Sequence, residues 1–194
     1  MNKKPYSTSD PSLKTSIVCF VDILGFSQLS LEALKDNNGD AFLFKLRNAL
    51  SNAYKQIREN SKGWKNEESY SIKIFTDNIV VGYPLNSFEL DFGESELSRI
   101  FRIFSTFQAN LAIEGFLSRG GIAVGDHYMD DDIVFGDALL KAVNKDKPGG
   151  PPNISLDQSA VDILQRHLGF YGNSDFAPQK YQLLEDADGT IFIN

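Results

Sequence analysis

The sequence predicts an α/β (α+β) domain with a split β-α-β core, and three observations carry that expectation. Two apolar runs rich in Val, Ile and Phe, SIVCFVDILGFS and SIKIFTDNIVVGY, have the composition of strands buried in a helix-covered sheet. Each is ended or interrupted by an aspartate, Asp22 and Asp77. Long stretches of helical periodicity follow each run, and a further strand-like segment, LSRGGIAVGD, comes after the second of them.

Taken in order, residues 1–14 read as a flexible polar arm and 15–194 as a single domain, since 194 residues suffice for one well-buried α/β unit. A first strand over 16–22 leaves through Gly25-Phe26-Ser27 into a helical region. Ala41, Leu43, Phe44, Leu46, Leu50, Ala53, Tyr54 and Ile57 then recur at helical spacing, with Asp40 as N-cap. The segment SKGWKNEES breaks that pattern. Strands near 70–75 and 78–83 join tightly around Thr76-Asp77-Asn78, where Asp and Asn tolerate a left-handed backbone. A second helix spans 95–116 through Leu97, Ile100, Phe101, Phe104, Phe107, Leu111 and Ile113 and stops at Gly115. In the next strand, Gly120 and Gly121 signal close backbone approach or a bulge.

Strand, helix, strand, strand, helix, strand is the ferredoxin-like βαββαβ plan, or palm, and it sets Asp22 and Asp77 on neighbouring central strands. Beyond it come the Asp130-Asp131-Asp132 loop, a short strand at 133–135 and a helix from Gly136. The rigid connection KDKPGGPP leads to a C-terminal extension: a helix at 157–167 and a hairpin turning at Ala187-Asp188-Gly189.

Composition narrows the function classes. With 19 Lys and Arg against 26 Asp and Glu, the net charge of −7 argues against broad phosphate-backbone binding, so no nucleic-acid partner is expected. The single cysteine, Cys19, excludes an internal disulfide framework and a Cys-rich zinc site and reads as a small buried hydrophobe. No apolar stretch reaches membrane-spanning length and the start is polar, so the expectation is a cytoplasmic protein with no membrane partner. His127 and His167 lack a partner histidine at ligand spacing and read as surface or packing residues. Asp130 to Asp132 read as a solvated loop.

The two aspartates carry the chemistry. Desolvating an ionised carboxylate costs several kcal/mol unless it is paired or bound to a cation, so two at adjacent strands point to Mg²⁺ or Mn²⁺. The structural alternative is that Asp22 caps the helix after it and Asp77 serves a hairpin turn.

In order and spacing, three motifs resemble the class III nucleotide cyclase family over residues 16 to about 165. FVDILGFS resembles its first metal motif, KIFTDNIVV its Lys-x-x-Gly-Asp hairpin, and RGGIAVGD followed by VFGDALLKA its late strand and helix. The wording looks most like the Pycsar-type pyrimidine cyclases of bacteria, which signal in defence against phage. The resemblance implies a cyclase/palm core that converts a nucleoside triphosphate, UTP in preference to CTP, ATP or GTP, to a 3′,5′-cyclic monophosphate and pyrophosphate. It implies two Mn²⁺ or Mg²⁺ ions held by Asp22, Asp77 and the Ile23 carbonyl, with amides of Leu24, Gly25, Phe26 and Ser27 around the phosphates. It also implies a homodimer with composite active sites and a separate effector protein that responds to the cyclic nucleotide. Lys73 matches the position that reads the base; a lysine only donates, which suits the keto oxygens of uracil. Its partnering position falls at Ile133, whose side chain accepts nothing, with Asp132 one residue away.

The late helix departs from the pattern. Alignment on Gly136-Asp137-Ala138 puts Leu140 and Asn144 where purine cyclases carry a transition-state Asn and Arg. Lys141, with Lys145 one turn on, and Arg119 on the preceding strand are the candidate replacements. A cyclase-fold domain that binds without chemistry and an RNA-binding palm are the rival readings, the latter disfavoured by the net charge.

Overall fold

A computed structural model describes residues 4–59, 69–85, 91, 93–146 and 150–194. Its strands are β1 (Lys14–Ile23), β2 (Ser71–Phe75), β3 (Asn78–Pro84), β4 (Ser118–Met129), β5 (Val134–Phe135), β6 (Ile154–Leu156), β7 (Leu183–Glu185) and β8 (Ile191–Ile193). Its helices are α1 (Phe26–Lys35), α2 (Gly39–Glu59), α3 (Glu94–Ile113), α4 (Asp137–Lys145) and α5 (Gln158–Phe170), with 3₁₀ turns at Ser174–Phe176 and Pro178–Tyr181. Most of SKGWKNEES and the centre of KDKPGGPP lie outside the described residues.

The sheet runs β2-β3-β1-β4-β6-β8-β7, with β5 paired to β4 off that path. Its first four strands have the split order expected from the sequence, and all pair antiparallel. β6, which the sequence reading left unassigned, pairs parallel to β4 and carries the sheet on to the terminal hairpin.

Alternation along β1 sorts the two faces. Ile17, Cys19, Val21 and Ile23 point into the main core with Ile100, Phe104 and Phe107 of α3 and Ala49, Ala53 and Ile57 of α2. Val18 and Phe20 point the other way, into a smaller core with Val80, Ala123 and Ala138 and Ala142 of α4. Asp22 shares the second face, which among the described residues is covered by the short α4 and the N-terminal segment.

Several expectations need correction. The N-terminal segment is no loose arm throughout, because Tyr6 is fully buried and donates to Ser16 Oγ at 2.9 Å. Burying an aromatic ring this completely is worth about 2 kcal/mol, enough to hold a short segment down. Asp40 lies inside the first turn of α2 and is not its N-cap. The Gly120-Gly121 pair makes no bulge, since the β1–β4 ladder runs unbroken from Lys14↔His127 to Ile23↔Ser118. Close approach is the reason for both glycines: a Cβ at Gly120 would meet the Phe20 carbonyl oxygen, and one at Gly121 the Ala142 carbonyl oxygen of α4. His127 and His167 are both buried packing residues. Among the described residues, no helix is long and apolar enough to cross a membrane.

Candidate functional site

Register alone assembles most of the site. Asp22 lies directly opposite Arg119 across the β1–β4 ladder. Val21 pairs with Ile79, so the turn between β2 and β3 lies beside the end of β1 and delivers Asp77 next to Asp22. There the Asp77 carboxylate acts directly on that of Asp22. Burial raises Asp22 first, the hydrogen bond and charge of Asp77 and the charge of Asp146 add to it, and Arg119 opposes them; the result is about 7. Only 17 % of the Asp22 side chain is exposed.

Thr76 makes this turn possible at some strain. It takes the left-handed conformation at φ 55°, where the sequence reading had placed Asp or Asn. A β-branched residue there costs about 1–2 kcal/mol. Its hydroxyl lies 2.8 Å from Asp77 Oδ1, which also accepts from the Asn78 side-chain amide at 3.3 Å. Asp77 is thus aimed by its own turn as well as by the ladder.

Asp146, immediately after α4, is a candidate site residue that sequence reasoning missed. Arg119 Nε lies 2.5 Å from Asp146 Oδ1, whereas Arg119 Nη2 is 3.7 Å from Asp22 Oδ2. Burial raises the Asp146 carboxyl, Arg119 opposes that, and Asp77 adds to it, so three carboxylates and one guanidinium share a single electrostatic neighbourhood. The missing signal was a contact across more than twenty residues, for which no local spacing exists. Among the described residues no group of three or more carboxylate, His or Cys side chains has metal-holding geometry.

Only Leu24 and Gly25 separate the end of β1 from the opening of α1. Gly25 sits in the left-handed region at φ 74°, and the first intrahelical bond runs from Leu29 N to Gly25 O. The amides of Phe26 and Ser27 therefore head the helix with no acceptor within it. Leu24 is a correction: its N–H donates to the Leu117 carbonyl at 2.8 Å and is not available to a phosphate.

Lys73 pairs with Val80, and Val80 with Phe20, so its side chain shares the face of Asp22. Lys73 also acts electrostatically on Asp130. Asp130 is not simply solvated: Oδ2 accepts from Tyr128 Oη at 2.7 Å, and Oδ1 from the amides of Asp132 and Ile133 at 2.9 and 2.7 Å. Ile133 itself is 56 % exposed. Lys141 is held by Asp137 one turn back at 2.6 Å, away from the Asp22–Asp77 pair in the ion pairing it makes. Arg119 and Lys145 both line a cavity of about 190 Å³ beside the β7–β8 turn.

No family model matches the sequence, and no curated protein does. Solved structures do. The monomeric guanylyl cyclase domain of the RhoGC fusion protein from the aquatic fungus Blastocladiella emersonii superposes at a TM-score of 0.62 with 12 % identity, over 93 % of this chain and 95 % of that one. The catalytic core of a rhodopsin-guanylyl cyclase with converted specificity, in complex with ATPαS, gives 0.60 and 13 % over 94 % and 96 %. A class III adenylyl cyclase-like ATP-binding protein from Pseudomonas aeruginosa gives 0.53 and 10 % over 87 % of this chain and 42 % of that one. At such identities the likeness shows the fold: this chain has the architecture of class III cyclase domains.

Proposed function

We propose that this protein is a nucleotide cyclase that closes the ribose 3′-oxygen of a nucleoside triphosphate, UTP in preference, onto its α-phosphate. The O3′–Pα bond forms, the Pα–O–Pβ bond breaks, pyrophosphate leaves, and the 3′-hydroxyl proton passes to solvent. The carrying observation is the buried Asp22 carboxyl, raised by burial and by the Asp77 carboxylate beside it at the edge of a cyclase-fold sheet. Two carboxylates forced together and open on one side are the hard-oxygen donor set that Mg²⁺ or Mn²⁺ requires. Asp22, Asp77 and the Ile23 carbonyl would hold the metal, which supplies an acidified 3′-hydroxyl and charge neutralisation on the triphosphate.

The chain's own groups do the rest. The Phe26 and Ser27 amides, at the positive end of α1, receive phosphate oxygens. Arg119 meets the negative charge that develops on the α-phosphate, in the place left open by Leu140 and Asn144. Lys73 donates to a keto oxygen of the base. Asp130, on which Lys73 acts electrostatically, already has both oxygens engaged, which supports uracil over bases that present an amino group.

A homodimer fits the second sheet face. Leu140 is 65 % exposed on α4 and Phe135 63 % on β5, apolar groups that a second copy would cover. The cyclic product is a signal for a separate effector. The rival is nucleotide binding without turnover, favoured by the apolar Leu140 where purine cyclases carry Asn. Purified protein incubated with ATP, GTP, CTP or UTP and Mn²⁺, with products identified by mass spectrometry, decides between them. Cyclic UMP from the native chain and none from Asp77→Ala supports the proposal; nucleotide binding without any cyclic product overturns it.

A further inference from the structure

We propose that Asp146 is a positioning residue that holds the Arg119 guanidinium off Asp22 and so keeps the carboxylate pair open to cations. The inference rests on the cyclase reading and adds to it a residue that none of the recognised motifs contains.

Arg119 is the cross-strand partner of Asp22, and Asp77 stands beside them. A guanidinium facing two carboxylates settles onto them in a forked pair of short hydrogen bonds. It does not do so here. Nη2 stays 3.7 Å from Asp22, while Nε is drawn to 2.5 Å from Asp146. The contact is an ion pair by distance and not an aligned hydrogen bond, so it is charge that draws the guanidinium toward Asp146.

The holding group is itself anchored by the backbone. Asp146 follows the last residue of α4, and α4 lies against β4 at Gly121, where a Cβ would clash with the Ala142 carbonyl oxygen. The Lys145 stem crosses the same glycine. A helix docked this closely leaves its C-terminal end little freedom to shift along the strand that carries Arg119. Both side chains are mostly buried, 18 % and 15 % exposed, so solvent screens the pair weakly.

With a neutral residue at 146, Arg119 swings onto Asp22 and competes with the metal. Mn²⁺ binding to the native chain, Asp146→Asn, Arg119→Gln and the double variant, followed by calorimetry without nucleotide, reads this directly. Asp146→Asn weakens Mn²⁺ at least about fivefold, Arg119→Gln does not weaken it, and in the Arg119→Gln background Asp146→Asn has no further effect. Asp146→Glu restores affinity in part. Mn²⁺ binding unweakened by Asp146→Asn overturns the proposal, as does an Asp146→Asn effect that persists without Arg119. Those results leave the cyclase reading standing, whereas failure of every variant to bind Mn²⁺ overturns both.

Discussion

Replacing Asp22 by Asn should stabilise the metal-free protein at alkaline pH while removing its chemistry. The Asp22 carboxyl is raised from 3.8 to about 7 by burial, by Asp77 and by Asp146, against the pull of Arg119. A carboxyl raised on folding takes up protons as the chain folds, so stability is full below about pH 4, falls through the window up to about 7 and stays low above it. The gap corresponds to about 4 kcal/mol at most. Partial access of water reduces this, and a measured gain on the order of 2 kcal/mol is expected. Asparagine keeps the shape and removes the charge. Urea unfolding in chelator at pH 4 and pH 8 makes the test: the two proteins match at pH 4, and the variant is more stable at pH 8. Added Mn²⁺ then stabilises the native chain and leaves the variant unchanged. A variant less stable than the native chain at pH 8 in chelator would show that Arg119, not Asp77, governs the surroundings of Asp22, and the metal argument would lose its footing.

Gly25→Ala should cost about 1 kcal/mol in urea unfolding although no atom lies within 4 Å of the new Cβ, because the expense is the left-handed backbone alone; an unchanged midpoint refutes that origin. Gly121→Ala should cost more, about 2–3 kcal/mol, by forcing α4 off β4, and should lower Mn²⁺ affinity with it if Asp146 is displaced. Burial lowers His127 from 6.5 to about 4, so its contribution is intact above pH 6.5 and is lost progressively as pH falls to about 4, by about 3 kcal/mol. His127→Leu should flatten that limb of the stability profile; a limb of unchanged depth assigns the loss to other groups.

Legibility in the sequence followed the range of the interaction that decides each feature. β1, the β2–β3 hairpin, α3 and the terminal hairpin were readable because alternation, helical period and turn chemistry are local, and Gly115 stops α3 with φ 82° as its position suggested. β6 was missed because three residues of ISL carry too little pattern to distinguish a strand, and only pairing with β4 makes them one. Tyr6 was missed because an aromatic in a polar segment has no period; its burial depends on a pocket over Gly82 and beside His127, 121 residues away in the chain. Thr76 shows tertiary demand overriding propensity, since the ladder fixes which residue must turn left-handed.

The site divides along the same line. Asp22 and Asp77 were legible because a carboxylate inside an apolar run breaks a local rule, and that break needs a compensating partner. Arg119 was legible only as a stand-in for the missing late-helix cation, and Asp146 not at all, because neither breaks such a rule: an arginine before two glycines and an aspartate after a lysine are ordinary. Their meaning comes from register, which sets Arg119 opposite Asp22, and from helix docking, which brings the end of α4 to the same place. Conserving the motif residues of this fold while moving the guanidinium's anchor to the far end of α4 would leave the motifs intact and alter metal affinity, so the residues that tune such a site are found in pairings across the sheet.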